Sequence, residues 1–354
     1  MKKILLGTSA IVALGAMTTE AFAADKIQLG LGGFHRQYVN YSNHDDTPKS
    51  MRLGQWANNE IYVNGSTTLD NGIDVSVVTQ FEASGENSGN NNDTAYMALG
   101  SDAMGSLRLG VAPHMMDDYA VRAPMVGPAD WGDIGNFVSY NGTANNNNNA
   151  GDIADFGDNA IKIGYHTPTF SGVTAYVSYG VAEGTDANNG RALNRGTTND
   201  SGTMGVAFEG EMGGAAVSAD VGYGFQNGSF DATRVGVNVG MSGFTVGGGY
   251  TDVDGEVAAT ASTASVDGNI WELGVSYETG PYSLGAAYMN SSADATTAAG
   301  SDEWTAWQVG AAYDLGAGVG LVAQYVNDEY DNEGAAAAGK SSASSIIAGI
   351  EVGF

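Results

Sequence analysis

Residues 56–82 read WANNEIYVNGSTTLDNGIDVSVVTQFE. Two runs rich in strand-forming residues, Trp56 to Leu69 and Ile73 to Glu82, flank Asp70-Asn71-Gly72. The Asn-Gly pair supplies the positive φ that a tight hairpin needs, so the stretch reads as strand, short turn, strand. Composition extends that reading to the whole chain. Its 354 residues include 53 glycines, only 6 prolines, and more tyrosine (17) than phenylalanine (11), a mixture that suits strands and tight turns better than helices. There is no cysteine, so neither a disulfide framework nor a thiolate metal site is available.

Alternation with period two recurs in segments of about ten residues separated by turn chemistry, as in transmembrane β-strands. The segments are 27–41, 56–69, 73–82, 94–100, 106–111, 160–167, 172–179, 204–211, 215–226, 233–241, 244–251, 270–278, 282–290, 304–314, 319–330 and 344–354. The first puts Ile27, Leu29, Leu31 and Val39 on one face and Gln28, Arg36 and Asn40 on the other. Short and long connections take turns, and the longest runs from Ala112 to about Asn159. The fold class is therefore all-β: a transmembrane antiparallel β-barrel of sixteen strands, apolar outside and polar within. Sixteen strands enclose an aqueous bore, whereas about eight are filled by their own side chains. Aromatics near strand ends, Tyr179, Phe225, Phe244, Tyr250, Tyr277, Tyr282 and Tyr313, suit girdles at the two membrane interfaces.

The chain opens with Lys2 and Lys3, an apolar run from Ile4 to Met17, and small residues around Ala21, Phe22 and Ala23. That succession predicts a cleaved secretory signal peptide over residues 1–23 and a single barrel domain over 24–354. The apolar run is too short for a membrane-spanning helix. Charge is strongly acidic, 13 Lys and Arg against 40 Asp and Glu; removal of Lys2, Lys3 and Glu20 leaves 11 against 39, a net charge of −28. Nucleic acid is excluded as a partner, because phosphate binding needs a basic face.

Two stretches carry a resemblance to the general-diffusion porins of Gram-negative outer membranes, a likeness that extends over Ala24 to Phe354. The C-terminal strand Ile346-Ile347-Ala348-Gly349-Ile350-Glu351-Val352-Gly353-Phe354 alternates and ends on an aromatic ring, which resembles the family's assembly signal. The segment Asn159-Ala160-Ile161-Lys162-Ile163-Gly164-Tyr165-His166-Thr167-Pro168-Thr169-Phe170-Ser171-Gly172 is similar to the family's strand and turn after the third external loop. The resemblance implies that this third loop folds inward to narrow the channel. It also implies a homotrimer joined through the first few strands and the last, contact with outer-membrane lipids, insertion by the outer-membrane assembly machinery through Phe354, and passage of ions and small hydrophilic solutes. The chain departs from the enteric pattern at Asn145 to Asn149 and at Leu109-Gly110-Val111-Ala112, which leaves the details of the constriction open.

Strand parity assigns Arg36, Arg108, Lys162 and Arg234 to the water-facing side, with Arg52 at the mouth of its strand. The long loop holds Asp117, Asp118, Asp130, Asp133, Asp152, Asp155 and Asp158 against Arg122, so an inward fold would set carboxylates opposite basic residues. Asp74, Glu82, Glu209, Asp220, Glu272, Asp314 and Glu351 share lumen parity and outnumber the bases, which predicts a weak preference for cations. Asp252-Val253-Asp254-Gly255-Glu256 offers hard oxygen ligands for calcium but lacks the spacing of an EF-hand loop. His35, His44, His114 and His166 form no metal or nucleophile motif, so no enzyme is predicted and no cofactor is required. A sugar-selective channel would need a run of inward aromatics, and Tyr62, Tyr96 and Tyr176 form none; a barrel occluded by its loops, as in an adhesin, is the third reading.

Overall fold

The computed structural model describes residues 26–44, 53–83, 92–138, 159–180, 200–227, 230–255, 267–294, 301–332 and 339–354. The signal-peptide segment, Arg52, the Asn145 to Asn149 run and Asp152, Asp155 and Asp158 lie outside the described residues. Sixteen strands are present: β1 Gln28–His44, β2 Leu53–Thr68, β3 Asp74–Glu82, β4 Asn92–Ser101, β5 Gly105–Ala112, β6 Ala160–His166, β7 Val173–Gly180 and β8 Ser201–Met212. They continue as β9 Ala215–Gln226, β10 Phe230–Met241, β11 Phe244–Gly255, β12 Gly268–Thr279, β13 Tyr282–Asp294, β14 Ser301–Gly316, β15 Val319–Asn332 and β16 Gly339–Gly353. Each pairs antiparallel with its sequence neighbours, and β1 pairs with β16, so the sheet closes on itself and has no free edge.

At the turn read from sequence, Gly72 supplies the positive φ, at 79°, while Asn71 does not adopt one. The turn between β8 and β9 places both Gly213 and Gly214 there, at 61° and 86°, the left-handed pair that a two-residue hairpin of matching twist demands. Closure is completed by the last residue: Gly33 donates its N–H to the Phe354 carbonyl at 2.9 Å, and Phe354 donates back to Gly33 at 3.0 Å. A Cβ on Gly33 would stand 2.2 Å from the Glu60 carbonyl and 3.1 Å from the Phe354 ring, so this seam requires glycine.

Alternation has the expected sense. Val173, Val177, Tyr179, Val235, Val237, Val239 and Met241 are all exposed on the outer wall. There the girdle aromatics meet in pairs, Phe244 with Tyr277 at 4.3 Å between centroids and Tyr282 with Tyr313 at 4.9 Å. The inner wall differs from expectation in one respect. On β12 to β16, Ile270, Met289, Val322, Val326 and Ile347 are apolar, inward and buried. They do not line water; they form a floor on which the long loop lies.

Candidate functional site: the constriction

The long loop enters the bore after β5. His114 is fully covered, with Nδ1 2.7 Å from the Ser178 hydroxyl and Nε2 2.8 Å from that of Ser201. One helical turn follows, α1 at Met115–Tyr119, which presses Met115 and Met116 against Tyr176 and Ala232. From there the chain runs along the inner wall from β9 to β1, held by a succession of two-point contacts. Val121 donates its N–H to Asp220 Oδ1 at 2.7 Å and accepts from Arg234 Nη2 at 2.7 Å. Glu272 accepts from the Ala123 N–H at 2.8 Å through one oxygen and from the Trp131 indole at 2.6 Å through the other. Gln324 accepts from the Ala129 N–H at 2.8 Å and donates to the Ala129 carbonyl at 3.1 Å, reproducing with one side-chain amide the pairing of a sheet. Finally, Asn40 and Ser42 both donate to the Phe137 carbonyl, at 3.1 and 2.7 Å.

The wall is cut to receive the loop. A Cβ on Gly236, Gly274 or Gly310 would lie 2.1, 2.3 or 1.6 Å from the carbonyl oxygen of Val121, Pro124 or Val126 respectively. Beyond these glycines the loop buries Trp131, Ile134, Phe137 and Val138 on the apolar floor. The Phe137 ring stands edge-on to Tyr38 and Trp56, which stack on each other at 5.4 Å. Each such buried side chain contributes roughly 1.5–3 kcal/mol, against about 0.5–1.5 kcal/mol for a typical hydrogen bond. With four such side chains against eight clamp hydrogen bonds, the two contributions are of the same order; the apolar packing anchors the far end of the loop and the polar clamps fix its register.

The wall of β1 to β5 is left facing this loop across the bore. Arg36 lies over the Phe34 ring at 3.9 Å and directly opposite Glu351 in the strand register. Glu351 in turn accepts a hydrogen bond from Tyr38 at 2.7 Å. Arg108 pairs with Asp118 at 2.7 Å, donates to the Pro113 carbonyl at 2.7 Å and sits over the Tyr96 ring at 5.4 Å. The Asp118 side chain keeps 35% of its surface in water, and loss of water from the rest pushes its carboxyl above the ordinary range, with the Arg108 guanidinium opposing that shift.

The residues expected at the site fall into two groups. Arg36 and Arg108 reach the bore, as do Asp118 and Asp130, which are exposed, and Asp117 and Asp133, which are half-buried. Arg234 and Lys162 are instead buried, 1% and 5% exposed, and the loop covers Asp220 and Glu272 as well. All four share lumen parity with Arg36, but Arg234, Asp220 and Glu272 belong to the loop's seat. Phe354 is exposed at the seam with β1. Trp131, Ile134 and Phe137, which decide where the loop rests, are absent from the expectation. Their signal was present as apolar residues at water-facing positions of β12 to β16, which an aqueous lumen alone would not choose. Among the described residues no group of three or more His, Cys, Asp or Glu side chains could hold a metal ion. Asp252 and Asp254 lie at the exposed end of β11, and Glu256 is outside the described residues.

Near its short-turn end the bore is ringed by further carboxylates: Asp74, Glu209, Glu211, Glu278 and Asp314 are exposed, and Glu351 is half-buried. A closed sixteen-strand barrel with an apolar outer band, aromatic girdles and a bore narrowed from within defines a channel-forming outer-membrane protein. Residues 8–333 match the model of the Gram-negative porin family, and the chain belongs to that family. It is a porin channel of the outer membrane and not an enzyme.

No curated protein sequence matches it. Among solved structures it is similar to in-vitro folded OmpT of Vibrio cholerae in its trimer form, at 14% identity and a TM-score of 0.62 over 93% of this chain and 100% of that one. A mutant of the Rhodopseudomonas blastica porin matches at 18% identity and a TM-score of 0.60, over 92% and 100%. An anion-selective porin from Comamonas acidovorans matches at 18% identity and a TM-score of 0.62, over 93% and 100%. At these identities the likeness establishes the fold and leaves the sign of ion selectivity to the residues of this chain.

Proposed function

We propose that this porin is a passive diffusion channel for ions and small hydrophilic solutes with a weak preference for cations, and that it works as a homotrimer after loss of residues 1–23. The observation that carries the cation preference is the imbalance of charge on the bore. Asp118, Asp130 and the carboxylates of the short-turn mouth are water-exposed, whereas Arg234 and Lys162, which would offset them, are buried. Carboxylates around a narrow aqueous path with low-dielectric walls raise the local concentration of cations. Arg36 and Arg108 moderate this preference, and each has an acidic neighbour, Glu351 and Asp118. The trimer form of the Vibrio cholerae relative supports the assembly state.

The test is planar-bilayer recording of the purified protein in a salt gradient. A zero-current potential of the sign set by cation flow, with conductance steps grouped in threes, is the expected result. A potential of the opposite sign would overturn the cation preference, and single, ungrouped steps would overturn the trimer.

A further inference from the structure

Arg108 and Arg36 both reach the bore, but they are held differently. The Arg108 guanidinium is engaged by the protein, paired with Asp118 and donating to the Pro113 carbonyl. The Arg36 guanidinium lies over the Phe34 ring at 3.9 Å, and among the described residues it has no ion pair and no hydrogen bond. Glu351, directly opposite it on β16, accepts instead from Tyr38. A guanidinium stays charged at any physiological pH and carries a planar fork of N–H donors that matches a carboxylate. Stacking on Phe34 fixes where that fork stands, so Arg36 presents it to the bore already in place.

Acceptors stand beside it on the same wall. Asn58 faces Arg36 directly across the register of β1 and β2, and Glu60 faces Phe34, one inward position further along. Asn58 Oδ1 is buried and has no hydrogen-bond partner among the described residues. Glu60 is directly opposite Glu82 on β3, an arrangement of like charges that favours a cationic neighbour. Arg36 does not serve as that neighbour, since the two are diagonal across the strand pair, roughly 7–8 Å apart at Cα, and form no ion pair. Phe34, Arg36, Asn58 and Glu60 are all half-buried, so each keeps some surface in the bore. The next inward residues of β1, Tyr38 and Asn40, hold the loop at Phe137. A solute that passes the loop there meets this group next.

We propose that this inner corner of β1 and β2 is a subsite for zwitterionic α-amino acids, which places the solute's carboxylate on Arg36 and its ammonium on Glu60 and Asn58 Oδ1; this rests on the reading of the chain as an open diffusion channel. Donor and acceptors lie side by side on one wall, and their spacing selects the class. An α-amino acid carries its two charges on a single carbon, which fits between side chains on diagonal strand positions. A simple carboxylate would fill the Arg36 fork but bring negative charge to Glu60 and leave Asn58 without a donor. A simple amine would meet Glu60 with the Arg36 charge beside it and unanswered. The group is half open to water, so a bound solute is also able to leave, as transport requires.

The test is single-channel recording of the purified protein, at constant ionic strength and neutral pH, with three solutes: L-leucine, 4-methylpentanoate and 3-methylbutylamine. The second and third are leucine without its ammonium and without its carboxylate. L-leucine is expected to lower the open-channel current saturably, at a half-effect concentration at least about tenfold below that of either fragment, the ratio that one charge-assisted hydrogen bond carries. In conducting Arg36→Gln and Glu60→Gln channels the leucine value should rise at least about tenfold, whereas the value for 4-methylpentanoate should rise in Arg36→Gln alone. A parent that conducts but responds alike to all three solutes, or to none, overturns the subsite and leaves the channel reading standing; that comparison needs no variant to fold. A parent in which 4-methylpentanoate matches leucine overturns it in favour of a plain carboxylate site. Leucine values unchanged in either variant overturn it by placing the binding elsewhere. A parent that forms no conducting channel overturns the channel reading and the subsite with it.

Discussion

Asp220 and Arg234 hold one residue of the inner loop between them. The carboxylate takes the N–H of Val121 and the guanidinium donates to its carbonyl, each at 2.7 Å, while the two side chains pair at 3.1 Å with no exposure to solvent. A buried pair of this kind adds little net stability, but removing one partner strands the other and costs about 3–5 kcal/mol. Its role here is to fix the position of the loop.

Asp220→Asn keeps an acceptor for Val121 and removes the charge that Arg234 needs. The loop should then sample positions away from the wall. We expect a folded barrel whose open-channel current is noisier than the parent's, with brief closures. Asp220→Leu combined with Arg234→Met removes both charges and should restore heat resistance without restoring quiet current. Single-channel recording paired with thermal melting separates the two effects, and quiet currents in Asp220→Asn would show that the apolar floor alone sets the loop.

The barrel was legible in the sequence because its two faces meet different solvents, and that difference imposes alternation. Where both faces meet water the alternation fades, and there the strands outrun their expected ends: β8 begins at Ser201 and not Met204, and β14 at Ser301 and not Trp304. Hydrogen bonding continues along those extensions without an apolar face to announce it. The constriction was legible only in part. Parity puts Arg36 and Arg234 on the same side of the wall, but parity cannot say that a distant segment covers one and spares the other. That distinction depends on Trp131 and Phe137 finding Ile270, Met289 and Ile347, contacts between residues more than a hundred positions apart.

Gly310 tests whether the glycines of the inner wall serve the loop. Valine there would place Cβ 1.6 Å from the Val126 carbonyl, a collision with backbone that no rotamer relieves. Overpacking of this kind costs about 1–3 kcal/mol, and displacement of the loop is the outlet nearest to hand. Gly310→Val should give a wider channel that admits larger neutral sugars in a liposome-swelling assay. Gly320→Val, whose Cβ would meet nothing closer than the Tyr313 carbonyl at 3.8 Å, is the control and should leave the size limit unchanged.

Phe354 acts at assembly more than in the finished barrel. Its backbone closes the seam through two hydrogen bonds to Gly33, but its ring is 70% exposed and so contributes little burial. Phe354→Asp preserves the backbone pairing and removes the ring. Insertion measured by pulse-chase in cells should slow markedly, while the melting temperature of protein already folded should barely move. Equal insertion rates would remove the ring's role as an assembly signal.

Asp118 links selectivity to pH. Because partial loss of water raises its carboxyl above the ordinary range, it takes up a proton on acidification before freely solvated aspartates, which titrate near pH 3.9, have done so. Protonation removes a negative charge from the bore and leaves Arg108 without its partner. Cation preference should therefore decline as pH falls, starting above the usual aspartate range. Asp118→Asn should start from the lower preference and lose that early phase, measured as zero-current potential against pH. A parent profile identical to that of the variant would remove Asp118 from the account.

The loop carboxylates as a group should set the magnitude of the preference. Asp117, Asp118, Asp130 and Asp133 lie on the loop inside the bore, with Asp118 in contact with Arg108 at 2.7 Å, and charges within a bore are screened less than on open surface. Replacing the four aspartates by asparagine preserves side-chain size and removes up to four negative charges, so the potential in a salt gradient should move towards zero. Replacing Arg36 and Arg108 by glutamine removes the positive wall and should move it the other way. Both displacements should shrink with salt, since the Debye length falls from about 10 Å at 0.1 M to about 3 Å at 1 M. Folded, conducting variants that keep the parent's potential at low salt would mean that the exposed carboxylates of the short-turn mouth, Asp74, Glu209, Glu211, Glu278 and Asp314, set selectivity without the loop.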